Sequence, residues 1–299
     1  MTGAPALRLV VGFSAGSASD DIANLIAAPL GEQLNRRVAI ERIAGDSGTL
    51  GAHAVARSAP DGNTLFVATL GTHALAPHAR KNLPYDAQRD FAPVSLLTQS
   101  PMLLACHPSL PAQNVNEFIA HARAHPGALA LTYGTSAIGG APHLAAELFQ
   151  SVTGVALRHA RYDETSKLYA DLEAGRIALS FNNIMSMLPR CTSGKLRALG
   201  VTSVQRSAIA PDVPTLAESS LRSCEVSNWV GLVAPRGTPA ARLDALSKAA
   251  AAVIDSAGVT ATLNKAGITP CGSTPAAFGQ FIASELERWR PVVAKFIHD

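Results

Sequence analysis

The stretch Leu7-Arg8-Leu9-Val10-Val11-Gly12-Phe13-Ser14-Ala15-Gly16-Ser17-Ala18-Ser19-Asp20 decides the reading of this chain. It opens on the apolar run LRLVV, the pattern of a strand buried on both faces. Small residues follow. Then Ile22, Leu25, Ile26, Leu30 and Leu34 recur at the 3–4 spacing of an amphipathic helix, with Asp20 placed to cap it. Strand, small-residue loop and helix together form the repeating unit of doubly wound α/β sheets.

Further along, the apolar runs RVAIE, TLFVATL, MLLAC, ALALTY, VALRHA, RIALSF, LRALGVT and WVGLVA alternate with helix-like segments and turn clusters. This alternation predicts an α/β chain with a largely parallel sheet. Val115, Phe118, Ile119 and Ala122 form a second helical stripe. A last helix is expected from about Thr274, with Phe278, Phe281, Ile282, Leu286 and Trp289 on one side. These stripes read as core faces.

Two segments look like passages between lobes. One lies around residues 97–106 with Pro101 inside it, the other around 227–238. The expected division is therefore residues 1–100 plus 230–299 as one lobe and 101–229 as the other. Ligands of such sheets sit beyond the carboxyl ends of strands, at helix N-termini.

Composition narrows the function. Hydrophobic residues make up 47% and charged residues 16%, a balance that sustains a core and excludes a disordered chain. Aromatics at 5% are too scarce for base-stacking platforms, and a net charge of +3 without basic runs leaves no nucleic-acid footprint. No run approaches the length of a membrane span. The start MTGAPALRLVV lacks the parts of a signal peptide, so it reads as a mature secreted chain with a start residue added, or as a cytosolic protein. Cys106, Cys191, Cys224 and Cys271 show neither a zinc nor a redox spacing. They read as small buried residues or as one disulfide, with Cys191 and Cys224 the nearest pair in sequence. The nine histidines show no metal-ligand spacing and read as surface or hydrogen-bonded residues, so neither metal nor cofactor is expected.

The loop 12–20 admits three readings. Small residues at a helix N-terminus let an anion approach free N–H groups, a tight turn needs the same residues, and Gly12-Phe13-Ser14-Ala15-Gly16 matches the G-x-S-x-G nucleophile elbow. A serine hydrolase using Ser14 would need a base, for which His53, His73, His143 and His159 are available. A second small-residue loop, residues 134–140, again separates a strand from a helix. No Walker lysine follows either loop, which disfavours a nucleotide phosphate.

Over nearly its whole length the chain resembles the extracytoplasmic solute receptors of tripartite tricarboxylate transporters, the Bordetella uptake-gene (Bug) receptors. The resemblance is carried by LRLVVGFSAGSASDDIANLIAAPLGEQLNRRVAIE and the glycine-rich turn after it. It continues through APDGNTLFVATLGTHALAP, LPYDAQRDFAPVSLL, HLAAELFQSVTGV, SGKLRALGVTS, APDVPTLAES and WVGLVAPRGTPAAR. It implies a type II periplasmic-binding-protein (Venus flytrap) fold, two α/β lobes with a cleft between them. It implies a periplasmic, non-enzymatic, monomeric receptor that captures a small carboxylated solute (an organic acid, amino acid or heteroaromatic carboxylate) for the subunits of a membrane transporter.

The ligand contacts it implies are Phe13, Ser14, Ala15, Gly16, Ser17, Ala18, Ser19 and Asp20 in the first loop, and Thr69, Gly71 and His73 in the turn after TLFVAT. In the other lobe they are Thr135, Ser136, Ala137, Gly139, Tyr162, Asp163 and Asn183. Two departures from the family pattern bear on the ligand. The first loop carries Ser14, Ser17 and Ser19 among small residues where prolines and more glycines are usual, adding hydroxyl donors. The usual Val-Pro-Tyr-Lys-Gly segment reads Ala160-Arg161-Tyr162-Asp163-Glu164. If these acids face the cleft, a ligand bearing nitrogen as well as carboxylate is favoured; the alternative is an exposed first helical turn.

Overall fold

The computed structural model describes residues 5–125, 131–135, 140–162 and 164–296. The chain runs β1 (Leu7–Val11), α1 (Ala18–Gln33), β2 (Val38–Arg42), α2 (Thr49–Ala56), β3 (Thr64–Thr69), α3 (Ala76–Ala79) and β4 (Phe91–Cys106). It continues with α4 (Val115–Ala124), β5 (Thr132–Thr135), α5 (Ala141–Thr153), β6 (Arg158–Arg161), α6 (Thr165–Glu173), β7 (Leu179–Asn183), α7 (Ile184–Thr192) and β8 (Arg197–Val201). It ends with β9 (Ser227–Pro235), α8 (Ala240–Ile254), α9 (Ala257–Lys265), β10 (Thr269–Pro270) and α10 (Pro275–Phe296). Two compact units result. The first comprises Met1–Gln99, Trp229–Asn264 and Ile268–Asp299, the second Ser100–Asn228 with Lys265–Gly267.

In the first unit the strand order is β2-β1-β3-β9-β4, with β10 also on β4. β1 pairs in parallel with β2 and β3, whereas β9 runs antiparallel to β3 and β10 antiparallel to β4. In the second unit β5 is parallel to β6 and β7, while β4 is antiparallel to β7 and β8. The expectation of a largely parallel sheet is thus corrected to a mixed one. A continuous apolar run reports burial on both faces and says nothing of direction.

The apolar stripes pack as their spacing predicts. Ile22, Ala23, Ile26 and Leu30 of α1 are buried against Leu7, Leu9 and Val11 of β1 and against Leu246, Ala250 and Val253 of α8. Each such aliphatic side chain stabilises the unit by about 1.5–3 kcal/mol. Phe278 and Trp289 of α10 are fully buried as well. Glu285, one turn before Trp289, accepts the indole N–H groups of both Trp229 and Trp289, which satisfies the three polar groups inside that core. All four cysteines are free thiols, Cys106 and Cys224 being buried.

Candidate functional site

The first loop is built from its own hydrogen bonds. Ser17 is the N-cap of α1, and its hydroxyl accepts from the Asp20 N–H. Asp20, expected as the cap, instead lies in the first turn and reaches back. Its Oδ2 accepts from Gly16 N at 3.0 Å and from Asn24 Nδ2 at 3.1 Å, while Oδ1 lies 2.7 Å from Arg42 Nε. The arrangement is a variant of the capping box: the aspartate in the third helical position takes the N–H of Gly16, one residue before the cap, while Ser17 N donates to the Ser14 carbonyl. Asp20 is 2% exposed, and the hydrogen bond from Arg42 holds its pKa below the usual carboxylate range.

The loop therefore carries its own anion, neutralised by Arg42. What it still offers a ligand is specific. The N–H groups of Ala18 and Ser19, in the first helical turn, have no acceptor among the described residues. Ser14, Ala15, Gly16 and Ala18 are exposed, and Phe13 is half-buried. Ser19 is buried, its Oγ 3.3 Å from that of Ser17, so this hydroxyl serves the loop rather than its surface.

A turn that entered the sequence reading only through the resemblance, and not as a ligand contact, lies beside it. Gly45, Asp46, Ser47 and Gly48 all have positive φ, at 137°, 49°, 55° and 89°. Asp46 anchors the turn by accepting from Thr49 Oγ1 at 2.7 Å and by pairing with Arg80, whose hydrogen bond lowers the Asp46 pKa. A Cβ on Gly48 would lie 2.8 Å from both the Phe13 ring and the Thr72 methyl, so three loops converge where Gly48 has no side chain. The only signal in the sequence was the cluster Gly45-Asp46-Ser47-Gly48 between two apolar runs.

The third of these loops is a single π-helical turn, Gly71–Leu75, following β3. Thr69 and Thr72 satisfy each other: Thr69 N donates to Thr72 Oγ1 at 3.1 Å and Thr72 N to Thr69 Oγ1 at 3.3 Å. Gly71 stays half-buried. The turn swings His73 inward. Its ring is fully buried against Phe66, Tyr85 and Phe91, the Phe91 centroid 4.7 Å away, with Nδ1 3.0 Å from Thr72 Oγ1. Burial lowers its pKa to about 3, so the ring is neutral. His73 is a core residue beneath the loop, not a group on its surface.

In the second unit, Gly134 and Thr135 belong to β5 rather than to the loop expected there. Their register with Ala160 and Arg161 of β6 extends the strand. Ser136, Ala137, Gly139 and Asp163 lie outside the described residues. Thr135 is fully buried, its Oγ1 2.7 Å from His159 Nε2. Gly140 begins α5, and no side chain among the described residues caps that helix.

Tyr162 lies over Gly134 and donates its hydroxyl to Asp171 Oδ2 at 2.8 Å; burial and that carboxylate push its pKa up to about 12. Asn183 caps α7 by accepting from Met185 N at 3.0 Å. Glu164 is exposed and pairs with Lys167 at 2.9 Å across the first turn of α6. Of the two readings of the Asp163-Glu164 segment, Glu164 takes the exposed helical turn.

The nucleophile elbow finds no support. Such an elbow strains its serine, yet Ser14 is not among the residues of positive φ, and no described histidine hydrogen-bonds to it. Among the described residues no group of three or more His, Cys, Asp or Glu is placed to hold a metal ion, and no helix is long and apolar enough to cross a membrane.

The chain is also similar to known proteins over most of its length. The family model described as "Tripartite tricarboxylate transporter family receptor" matches residues 22–297. The chain is 32% identical to protein BugT of Bordetella pertussis over 288 residues, covering 96% of this chain and 88% of that protein. Among solved structures it is similar to R. palustris Rpa4515 with adipate, at 34% identity and TM-score 0.83, covering 96% of both chains. It is also similar to MatC from Rhodopseudomonas palustris with bound malate, at 31% identity and TM-score 0.80, covering 96% of this chain and 98% of that one.

Proposed function

The chain belongs to the tripartite tricarboxylate transporter receptor family, and on that premise we propose that it captures a small dicarboxylate in the periplasm and passes it, as a monomer, to transporter subunits in the membrane. The family's proteins are solute-binding receptors rather than enzymes. One observation carries the ligand class. At the start of α1 the Ala18 and Ser19 N–H groups lack acceptors, and the exposed Ser14 hydroxyl stands in the same loop. Donors without acceptors at a helix N-terminus suit a carboxylate.

In the second unit, taken by itself, the end of β5 and the start of α5 form a second strand–helix junction of the kind that suits a carboxylate. Two similar proteins are described with adipate and malate, each a dicarboxylate. Glu164, occupied by Lys167, supplies no argument for a nitrogen-bearing ligand.

Calorimetry and thermal unfolding with adipate, malate, glutamate, nicotinate and 1,6-diaminohexane test this reading. Saturation at a hundred times Kd adds about 2.7 kcal/mol of stability. Adipate or malate is expected to give that stabilisation and 1,6-diaminohexane none. Absence of binding by every carboxylate would overturn the proposal.

A further inference from the structure

Behind Thr135 stands a column of aromatic rings that the capture of a carboxylate does not by itself require. His159 of β6 stacks on Tyr133 of β5, with ring centroids 4.7 Å apart and planes 12° from parallel. His143 of α5 stacks on His159 from the other element, at 4.7 Å and 19°. Glu147, one helical turn after His143, accepts the Tyr133 hydroxyl and lies 3.7 Å from His143 Nε2. Tyr133, His143 and Glu147 are all buried, and His159 is half-buried. From this column His159 Nε2 reaches Thr135 Oγ1 at the carboxyl end of β5, at 2.7 Å.

We propose that His159 is a proton-dependent positioning residue, which sets the direction of the Thr135 hydroxyl and thereby makes carboxylate binding tighter as the pH falls. Neutral His159 with its proton on Nδ1 accepts the Thr135 hydroxyl hydrogen, so Thr135 has no hydrogen to give a ligand. A proton taken from solvent onto Nε2 reverses the bond. Nε2–H then donates to Thr135 Oγ1, and the threonine, keeping its own hydrogen, turns it toward an acceptor beyond the strand end. No covalent bond other than the new N–H forms.

The surroundings make the ring responsive. Burial first, then His143 and Arg161, disfavour the imidazolium, while Glu147 favours it, and the net effect lowers the His159 pKa from its ordinary value. Arg161 shares the His159 face of β6 by strand alternation. Arg158 takes the other face, its Nε donating to Thr132 Oγ1. Tyr133 is neutral and spends its hydrogen on Glu147. At neutral pH the ring is therefore mostly unprotonated. A bound anion favours its protonation, so binding takes up a proton, and by linkage affinity rises with acidity.

This inference rests on the reading of the β5 end as a ligand contact, and its test separates the two. Calorimetry with adipate and malate at pH 6, 7 and 8, where both are predominantly dianions, in buffers of different ionisation enthalpy gives affinity and proton uptake together, once the free acids' own protonation is subtracted. The expected result is binding about three- to tenfold tighter at pH 6 than at pH 8, the gain of a bond becoming charge-assisted, with fractional proton uptake. His159→Gln keeps a donor near the Nε2 position at every pH and is expected to bind while losing the slope and the uptake. His159→Phe keeps the ring stack and is expected to bind more weakly with no slope. Binding by the unaltered protein that is independent of pH, or an equal slope in His159→Gln, would overturn the inference and leave the dicarboxylate reading intact. Failure of both acids to bind at any pH would remove the two readings together.

Discussion

Arg42 Nε lies 2.7 Å from Asp20 Oδ1, which ties the last residue of β2 to the first turn of α1 beneath the small-residue loop. The same carboxylate holds Gly16 N and Asn24. One buried side chain thus fixes the loop's shape and occupies an N–H that a ligand would otherwise meet. Asp20→Asn removes the charge and leaves Arg42 without its partner, at a cost of about 2 kcal/mol. The sign with pH follows from the direction of the shift. Asp20 has a lowered folded pKa, so its contribution is full above the unfolded carboxylate range and is lost as pH falls through the folded value. Urea unfolding across acid pH should show a shallower acid limb in the variant.

Gly12 and Gly16 lie in one loop but are needed for different reasons. A Cβ on Gly12 would stand 2.7 Å from the Gly48 carbonyl oxygen and 2.8 Å from its Cα, where backbone meets backbone. Gly16 has open space around it but a φ of +78°. Gly12→Ala is expected to displace the turn at residues 45–48, cost about 1–3 kcal/mol and weaken adipate binding. Gly16→Ala is expected to cost about 1–2 kcal/mol through backbone strain alone. Denaturant midpoints and calorimetry on both variants check the difference.

The serines of the loop divide in the same manner. Ser17→Ala loses the N-cap and should cost about 1 kcal/mol of stability. Ser14 is exposed, so Ser14→Ala should leave stability within about 0.5 kcal/mol while reducing affinity for the dicarboxylate. Thermal unfolding with and without adipate separates the two effects.

His73 makes a further prediction about acid stability. The folded ring, with a pKa near 3, stays neutral where the unfolded ring takes up a proton. Stability is therefore lost as pH falls below the unfolded histidine value, by about 2 kcal/mol at pH 5. His73→Phe retains an aromatic ring among Phe66, Tyr85 and Phe91 and should flatten that loss. Urea midpoints at pH 7 and pH 5 for both proteins measure it.

The sequence reading found what depends on local order along the chain. The 3–4 stripe of α1 and the small residues before it are visible because helix periodicity and loop chemistry act over a few neighbours. It misplaced what depends on pairing. Thr135 was read as loop because its strand register comes from Arg161, distant in sequence. Asp20 was read as a cap because the hydroxyl of Ser17, three residues earlier, performs that role with a similar acceptor.

By itself the sequence determined an α/β chain with two small-residue junctions between strand and helix, and ordered blocks long enough to identify the receptor family. Tertiary structure decided which groups those junctions leave available. It turned His73 into the core, closed Asp20 on Arg42, and paired Glu164 with Lys167. It also stacked His143, His159 and Tyr133 into one column behind Thr135. The reason is physical: whether a polar group faces a ligand depends on which partner satisfies it first, and those partners come from strands and helices far apart in the chain.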